Sequence, residues 1–366
     1  MTDNPGDGIE FVGCELTYYP EKPAFANNPP TTESHTHRPV TINGKRMLVI
    51  DMHAHSQVPD VWPLIEGRPE LEGENFFAQG PLKPVEDLST RLAEMDRMGI
   101  DMEVLSISIE QYFYWTERDL AAEIVRVQNE KLTEVSAAYP DRFVPLGAVA
   151  LQYPDLAAEQ LEHAVRNLGH RGCMITCSVE GQELSNPRFH PFWAKAEALG
   201  VIVFIHPKGF TQSGSRFEGR GYLENVIGNP LETAVALAHL IYEGTLDRFP
   251  NIKIVAAHGG GYLPSYIGRF DHGHNSNDRG GRGAEARKPS DYLDRLYFDT
   301  LVYSTENLAH LIDTCGVSQI VLGTDHPFGM MNQNPIAHLL SVPGLSDADI
   351  ESILNGTIRE LLKLDN

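Results

Sequence analysis

Basic residues and long apolar runs are both scarce in this chain. Its 366 residues include 29 Lys and Arg against 50 Asp and Glu, which gives a formal net charge of −21. Nucleic acids and anionic membrane surfaces bind a basic protein face, so we expect neither as a partner. No apolar run approaches the roughly 18 residues that cross a bilayer. The first residues, MTDNPGDGIEF, lack the basic and apolar regions of a secretory signal, and we expect a cytoplasmic protein.

Cysteine is also scarce. The four cysteines are far apart and form no CxxC pair; they are Cys14, Cys173, Cys177 and Cys315. Such spacing is typical of neither a disulfide framework nor a zinc ribbon. The sequence also lacks motifs that bind phosphate or form a Schiff base, and we therefore expect no organic cofactor.

From residue 47 onward, apolar runs alternate with amphipathic segments. We predict strands at 48–52, 103–107, 143–151, 172–176, 201–206, 252–258, 296–300 and 320–325. We predict helices at 85–98, 117–139, 155–168, 191–199, 230–243, 263–270 and 305–315, with a last helical region at 347–364. This alternation is typical of a parallel α/β sheet, and eight units predict a closed (β/α)₈ TIM barrel. A doubly wound open sheet is the alternative, but it would carry a Gly-rich turn after its first strand.

The N-terminal region differs in composition from the rest of the chain. Residues 1–45 are rich in Pro, Asn and Thr, and we predict there an extended arm or a small hairpin that packs on a larger body, either its own chain or a neighbouring subunit. A barrel domain follows at 46–366. This N-terminal extension contains one HxH pair, at 35–37, which follows no strand and is therefore weak evidence for a site.

Several connections between the predicted elements are long. The loops at 56–84 and 208–229 follow predicted strands and would shape a pocket on the catalytic face of a barrel. The run EQYFYW at 110–115 either lines that pocket or packs in the core. A polar, Gly/Arg-rich insert at 272–289 is predicted to be mobile, as a flap or a subunit contact.

Ionisable residues close several of the predicted strands. The first strand is followed by His53 and His55, which lie two residues apart and so point the same way on an extended chain. Three later strands end at His206, His258 and Asp325. The C-terminal ends of barrel strands converge on one small area, where the active site lies. One such residue is readily explained as a hydrogen-bonded core group, but five at matching positions indicate a site.

These residue types favour a catalytic metal ion. Three imidazoles and one carboxylate leave coordination positions open for water or substrate, and neutral imidazole is a favoured zinc ligand. We predict one divalent ion bound by His53, His55, His206 and Asp325, since the fourth strand ends without the Lys that a second metal would need. Such an ion lowers the pKa of a bound water toward neutrality. We predict that His258 handles the water proton or serves as a further ligand.

Six motifs within residues 47–363 resemble a known family. They are DMHAH (51–55), YPDRFVPLG (139–147), NPRFHPFWAKAEALGVIVFIHP (186–207), DRFPNIKIVAAHGGGYLPSYIGR (247–269), YFDT (297–300) and GTDHPFG (323–329). Together they resemble the amidohydrolase superfamily, in the branch of aminocarboxymuconate semialdehyde decarboxylase and related aromatic-acid decarboxylases. The resemblance implies the same four metal ligands and a role for His258 in activating water or transferring a proton. Some relatives replace the first His by Glu and use manganese; the two His residues here favour zinc and leave manganese possible.

Three further residues are candidates for substrate binding. The resemblance implies that Arg269 reaches a substrate carboxylate, in part across a dimer interface, so we expect a homodimer or a higher oligomer. A salt bridge from Arg269 to Asp271 or Asp299 is the alternative. The HPW that the family carries after strand five is HPKG here, which makes Lys208 a contact for a different ligand. Phe328 either stacks on an aromatic substrate or belongs to the core.

These observations predict a metal-dependent non-oxidative decarboxylase of a carboxylated phenol or muconate-semialdehyde-type acid. In this hypothesis the metal, with Arg269 or Lys208, orients the substrate carboxylate, and Asp325 or water managed by His258 protonates the carbon that loses CO₂. A hydrolase or hydratase acting on a related ring-cleavage product, ester or lactone is the alternative, because the same metal site serves both. A non-catalytic binding barrel is disfavoured by the five converging residues.

Overall fold

A closed barrel of parallel strands forms the centre of the molecule. The structure, a computed structural model, describes residues 9–11, 39–68, 88–275 and 287–364. In chain order the strands are β1 (Ile9–Phe11), β2 (Val40–Ile42), β3 (Lys45–Met47), β4 (Ile50–Ser56), β5 (Met102–Ile107), β6 (Phe143–Pro145), β7 (Gly172–Thr176), β8 (Ser178–Val179), β9 (Gln182–Glu183), β10 (Ile202–His206), β11 (Lys253–Ala256), β12 (Leu296–Asp299) and β13 (Ile320–Val321). The barrel consists of β4 to β7 and β10 to β13.

Two parallel sheets join at their edges to close the barrel. One has the order β4-β5-β6 and the other the order β13-β12-β11-β10-β7. Parallel bridges join the sheets at both seams, Ala54 with His326 and Gly147 with Cys173. At the first seam the Asp325 N–H donates to the His53 carbonyl oxygen at 2.8 Å, so barrel closure also joins two of the predicted site residues. The predicted (β/α)₈ barrel is confirmed.

The barrel strands are apolar because both of their faces are covered. In β10, Ile202, Val203, Phe204 and Ile205 are all fully buried. Parallel strands with helices outside and side chains inside carry such continuous apolar runs, whereas half-exposed strands alternate. A polar residue that ends such a run lies at the mouth of the barrel, as His206 does.

Helices connect the barrel strands along the outside. They are α1 (Trp62–Ile65), α2 (Leu88–Met98), α3 (Arg118–Ala138), α4 (Pro154–Asn167), α5 (His190–Leu199), α6 (Asn229–Tyr242), α7 (Thr245–Arg248), α8 (Leu263–Asn275), α9 (Thr305–Cys315), α10 (Pro335–Leu340), α11 (Asp347–Glu351) and α12 (Thr357–Leu362). In α4, Ala157, Leu161 and Ala164 recur at helical spacing and form the buried face. No helix in these parts of the chain is long and apolar enough to cross a membrane.

The first barrel strand differs from its prediction in a way that matters for the site. We predict it to end at residue 52, but β4 continues to Ser56, so His53 and His55 lie within the strand. The pairing of β4 with β5 shifts register between Asp51 and Ala54. Such an irregularity re-aims the side chains of a strand, which explains why the HxH segment stays paired and still faces the mouth.

Other boundaries differ as well. The strand predicted at 143–151 ends at Pro145. The insert predicted to be mobile begins as helix, because α8 continues to Asn275 and buries His274 beside the Tyr242 ring. The last helical region is divided between α11 and α12 by a π-helical turn at Ser352–Gly356.

The N-terminal region contributes a small antiparallel sheet. β2 pairs with both β1 and β3, and the side chains of Val40, Ile42 and Met47 belong to the core. Parts of four predicted segments lie outside the described residues: 1–8 and 12–38 of the arm, 69–84 of the first long loop, 85–87 of the first predicted helix, and 276–286 of the insert. The domain boundary at 45/46 stays a prediction.

Replacement of Gly261 by Ala tests the close packing of the turn after β11. Gly261 has a φ of +64°, and a Cβ there would lie 2.0 Å from the Pro230 carbonyl oxygen. We expect Gly261→Ala to lower the free energy of unfolding by roughly 3 kcal/mol, measured by denaturant titration. The control is Gly268→Ala in α8, where a Cβ meets nothing within 4 Å and a change of at most about 1 kcal/mol is expected. Equal effects from both variants would contradict this account.

Candidate metal centre

Five side chains from four strand ends meet at the C-terminal mouth of the barrel. Ligand atoms of His53, His206, His258 and Asp325 lie within 4.8 Å of one another. His55 joins them, because its Nε2 lies 3.0 Å from the His53 Nε2 and 3.3 Å from the Asp325 Oδ1. All of them except the half-buried His258 are buried. The structure thus brings together the five residues selected from the sequence, while their chemical roles stay predictions.

Two of the imidazoles are oriented by hydrogen bonds on their outer nitrogens. The His53 Nδ1 donates to the Asp299 Oδ2 at 2.6 Å. The His206 Nδ1 donates to the Pro207 carbonyl oxygen at 2.8 Å. Each bond places a proton on Nδ1, which leaves the Nε2 lone pair of a neutral ring directed toward the other donors.

The third imidazole is oriented by a serine. The Ser106 hydroxyl donates its single proton to the Ala54 carbonyl oxygen at 2.9 Å. Its oxygen therefore accepts from the His55 Nδ1, which lies 3.1 Å away. His55 thus also presents an Nε2 lone pair, and three lone pairs converge on one point.

The charges around this point favour one added cation. Burial lowers the pKa of His53, but the Asp325 and Asp299 carboxylates outweigh burial and raise that pKa to about 10. Burial lowers the pKa of His55 to about 4 and holds the pKa of His206 well below its usual range. The carboxylates therefore favour positive charge at His53, carried either by a proton on its ring or by a cation that its Nε2 binds, while burial keeps the other two rings neutral.

The donor set fits the predicted metal ion. The His206 Nε2 and the Asp325 Oδ1 are buried, and neither has a hydrogen-bond partner within the described parts of the chain. Buried polar atoms without partners are costly, so such a pair needs an explanation. A divalent cation among imidazole nitrogens and a carboxylate oxygen would satisfy both atoms, and these are ligand types that zinc and manganese accept.

Two of the donors lie in strained turns. His258 has a φ of +56° and Asp325 a φ of +66°, a region that side-chain-bearing residues seldom adopt. Backbone strain of this kind clusters at functional sites. The turn before Asp325 also requires Gly323, because a Cβ there would lie 2.8 Å from the Asp299 Cβ and 3.0 Å from the His53 Cβ.

Asp299 organises the centre, and the sequence did not identify it as a site residue. Besides the His53 ring, its carboxylate accepts the backbone N–H groups of His258 at 3.0 Å, Gly259 at 2.8 Å and Leu301 at 3.1 Å. It is fully buried. The available signal was the YFDT motif, in which an acid ends an apolar strand as Asp325 does.

A buried ionic cluster supports the centre from behind. The Arg91 guanidinium donates to the His55 carbonyl oxygen and pairs with Glu103. Glu103 also lies 2.6 Å from the Nδ1 of His326, whose Nε2 lies 2.8 Å from Glu94. Burial lowers the pKa of His326, but Glu103 and Glu94 outweigh burial and raise it. The cluster ties β4 to the segment that carries Asp325.

A cavity of about 280 Å³ opens over the donors. It is lined by Ile109, Glu110, His206, Lys208, Gly209, Tyr222, Glu224, Asn225, Asn229, Asp325, Phe328, Gly329 and Met330. Two predicted substrate contacts, Lys208 and Phe328, are therefore at the cavity wall, and the Phe328 ring stands edge-on to His55 with centroids 5.0 Å apart. From the run at 110–115, Glu110 lines the cavity, whereas Tyr112 and Tyr114 are buried in the core.

Arg269 lies elsewhere. It is exposed on α8, and it does not line this cavity. It also forms no ion pair within the residues that the structure describes, because Asp299 is bound to His53 and Asp271 accepts the Ser290 N–H at 2.9 Å. Within the described part of one chain, Arg269 thus makes neither the predicted salt bridge nor a contact with the cavity. Its contact with substrate stays a prediction.

The fold and the donor cluster together define a class of protein. A (β/α)₈ barrel with imidazole and carboxylate donors at the C-terminal ends of its strands is the architecture of a metal-dependent barrel enzyme. A protein-family model described as "Amidohydrolase" matches residues 50–364. The chain belongs to this amidohydrolase family, as its motifs predicted.

Known relatives match most of the chain. It is 29% identical over 336 residues to the 2-amino-3-carboxymuconate-6-semialdehyde decarboxylase of Dictyostelium discoideum, covering 87% of this chain and 93% of the relative. It is 31% identical over 300 residues to the gamma-resorcylate decarboxylase of Rhodococcus jostii (strain RHA1), covering 78% of this chain and 90% of the relative. The structure of a dihydroxybenzoic acid decarboxylase from Polaromonas sp. JS666, solved with bound manganese and 2-nitroresorcinol, matches with a TM-score of 0.73 and 27% identity, covering 87% of this chain and 98% of that one.

Replacement of Asp299 by Asn tests whether this carboxylate tunes the donor cluster. Loss of its charge weakens the hold on the His53 Nδ1 proton, so we expect metal affinity to fall about 10- to 100-fold, measured by competition with a chelator. The matched control is Asp271→Asn, because the Asp271 carboxylate bonds Ser290 and belongs to another part of the fold. Wild-type metal affinity in Asp299→Asn would show that this bond does not tune the centre.

Proposed function

We propose that this chain is a metal-dependent non-oxidative decarboxylase of a carboxylated phenol or muconate-semialdehyde-type acid. The observation that carries the proposal is a buried His/Asp donor cluster that opens directly onto a cavity with an ammonium group on its wall. The relatives support the reaction, since they are decarboxylases of carboxymuconate semialdehyde and of dihydroxybenzoic acids. We assign the enzyme to the catabolism of aromatic compounds.

The proposed cofactor is one divalent metal ion held by His53, His55, His206 and Asp325. Zinc is our first candidate because imidazole donors dominate the set. Manganese is the second, supported by the bound manganese in the Polaromonas relative. The bound ion supplies Lewis acidity for a substrate carboxylate and its neighbouring oxygen.

The substrate carboxylate is oriented by Lys208 and, from a second subunit, by Arg269. The Lys208 Nζ lies 3.2 Å from the Tyr112 carbonyl oxygen, which holds the ammonium at the wall. Phe328 offers its ring to the flat face of an aromatic acid, beside His55. The role for Arg269 requires a homodimer or higher oligomer, which we also propose.

His258 and Asp325 carry the proton. The His258 Nε2 lies 3.9 Å from the Asp325 Oδ2, a separation that a small side-chain movement would shorten to a hydrogen bond. In the reaction a double bond of the substrate takes up the proton at the carbon that bears the carboxylate. The bond from that carbon to the carboxylate then breaks, and its electron pair re-forms the double bond as CO₂ leaves. The fixed positions of the donors orient the acid for this step.

Product analysis tests the reaction directly. Protein reconstituted with zinc or with manganese is incubated in D₂O with hydroxybenzoates and carboxymuconate semialdehydes. We expect CO₂ release, and a product that carries one deuterium at the carbon that lost the carboxylate. Chelator-treated protein is the control. A product that has gained one water and kept its carboxylate would instead establish the hydratase or hydrolase alternative.

Replacement of His258 separates proton transfer from metal binding. We expect His258→Asn to reduce kcat by roughly 10²- to 10⁴-fold while the metal content per chain is unchanged. His310→Asn, on the exposed face of α9, is the control and should retain full activity. Loss of metal together with activity would identify His258 as a further ligand, contrary to the role proposed here.

A further inference from the structure

The wall of the cavity carries a carboxylate that the proposed mechanism does not use. Glu110 lies in a short 3₁₀ helix, Ile109–Gln111, directly after barrel strand β5. It lines the same cavity as Lys208, Phe328 and the donor residue His206. A carboxylate is an unexpected neighbour for the binding site of an anionic acid, because like charges in a confined space repel.

The Glu110 side chain is held in place. The Ser108 hydroxyl donates to its Oε2, and the side chain is half-buried. A carboxylate offers about four lone-pair sites, so this bond leaves capacity for further donors. With this capacity the group is positioned to accept a hydrogen bond from a ligand in the cavity. The pKa of Glu110 is raised, because burial outweighs the lowering effects of the Ser108 hydrogen bond and of nearby Lys208.

The charged side chains on the cavity wall are mostly acidic. Lys208 is fixed on both sides, because its Nζ bonds the Tyr112 carbonyl oxygen and its backbone N–H donates to the Glu232 carboxylate at 2.8 Å. Among the described lining residues Lys208 is the one cation, whereas Glu110 and Glu224 are both acids. Lys208, which also lies near Glu110, is thus the one cation of the described wall that can face a ligand carboxylate, and a second carboxylate would meet acidic side chains.

We propose that Glu110 is a specificity-determining residue that selects acids with a single carboxylate and a hydrogen-bond donor, such as a phenolic hydroxyl, and rejects dicarboxylates. The inference rests on the proposed function and narrows its substrate class to hydroxyaryl monocarboxylates. The donor group bonds Glu110 while the carboxylate faces Lys208 and the donor cluster. A site built to bond a hydroxyl discriminates strongly against ligands that lack it.

The test measures binding rather than turnover. Zinc-loaded protein is titrated by calorimetry with benzoate, with the isomeric hydroxybenzoates and with the isomeric benzenedicarboxylates. For wild type we expect the best hydroxybenzoate to bind at least about tenfold more tightly than both benzoate and the best dicarboxylate. In Glu110→Gln we expect the preference over dicarboxylate to fall by about tenfold, with benzoate affinity changed by less than about twofold.

A surface variant provides the matched control. Glu130→Gln makes the same change on exposed α3, where Glu130 pairs with Arg126, and should keep the wild-type order of affinities. The proposal is overturned if wild type binds dicarboxylates as tightly as hydroxybenzoates, if Glu110→Gln keeps the wild-type ratio, or if wild type binds none of these acids. Because binding is measured without turnover, failure of CO₂ release would count against the proposed reaction alone.

Discussion

The hydrogen bond between the His53 Nδ1 and the Asp299 carboxylate is the contact on which the centre depends. It fixes the tautomer and the plane of the ring, so that the His53 Nε2 faces His55 and Asp325. The same carboxylate accepts the backbone N–H groups that shape the turn at His258. One buried acid on β12 therefore sets the position of a donor on β4 and of the proton-transfer candidate after β11. A carboxylate this deeply buried is tolerated because one ring N–H and three backbone N–H groups donate to it.

The net charge of the chain differs from the charge balance behind its donor cluster, where buried charges are paired. The chain as a whole is strongly acidic, with a formal net charge of −21. Inside the barrel, Arg91 pairs with Glu103 in a buried cluster behind the donors. Removal of one partner from such a cluster leaves a buried charge uncompensated, which is far more costly than loss of a surface pair. The cluster therefore holds the HxH strand to the Asp325 turn with a rigidity that a solvated pair would not provide.

The sequence predicted the barrel and the converging donors well, for a physical reason. Parallel strands covered on both faces are continuous apolar runs, so a His or Asp that ends such a run is conspicuous. Sequence could not show that β4 extends through His55, because bulged pairing depends on the neighbouring strand. It also missed Asp299, whose role depends on atoms 246 residues distant in the chain. Loop residues were the least predictable: both Lys208 and Arg269 were predicted to contact substrate, but Lys208 lines the cavity and Arg269 lies outside it on α8.

This division between strands and loops also explains how one donor cluster can serve several reactions. His53, His55 and His206 lie on barrel strands, where register and packing leave little freedom. Glu110 and Lys208 follow strands and belong to connecting segments, which tolerate change without disturbing the barrel. We therefore expect the strand residues to determine the chemistry common to the family. The side chains of the cavity wall then determine which acid is bound. A carboxylate on that wall disfavours a second anionic group on the ligand and favours a ligand that brings it a hydrogen-bond donor.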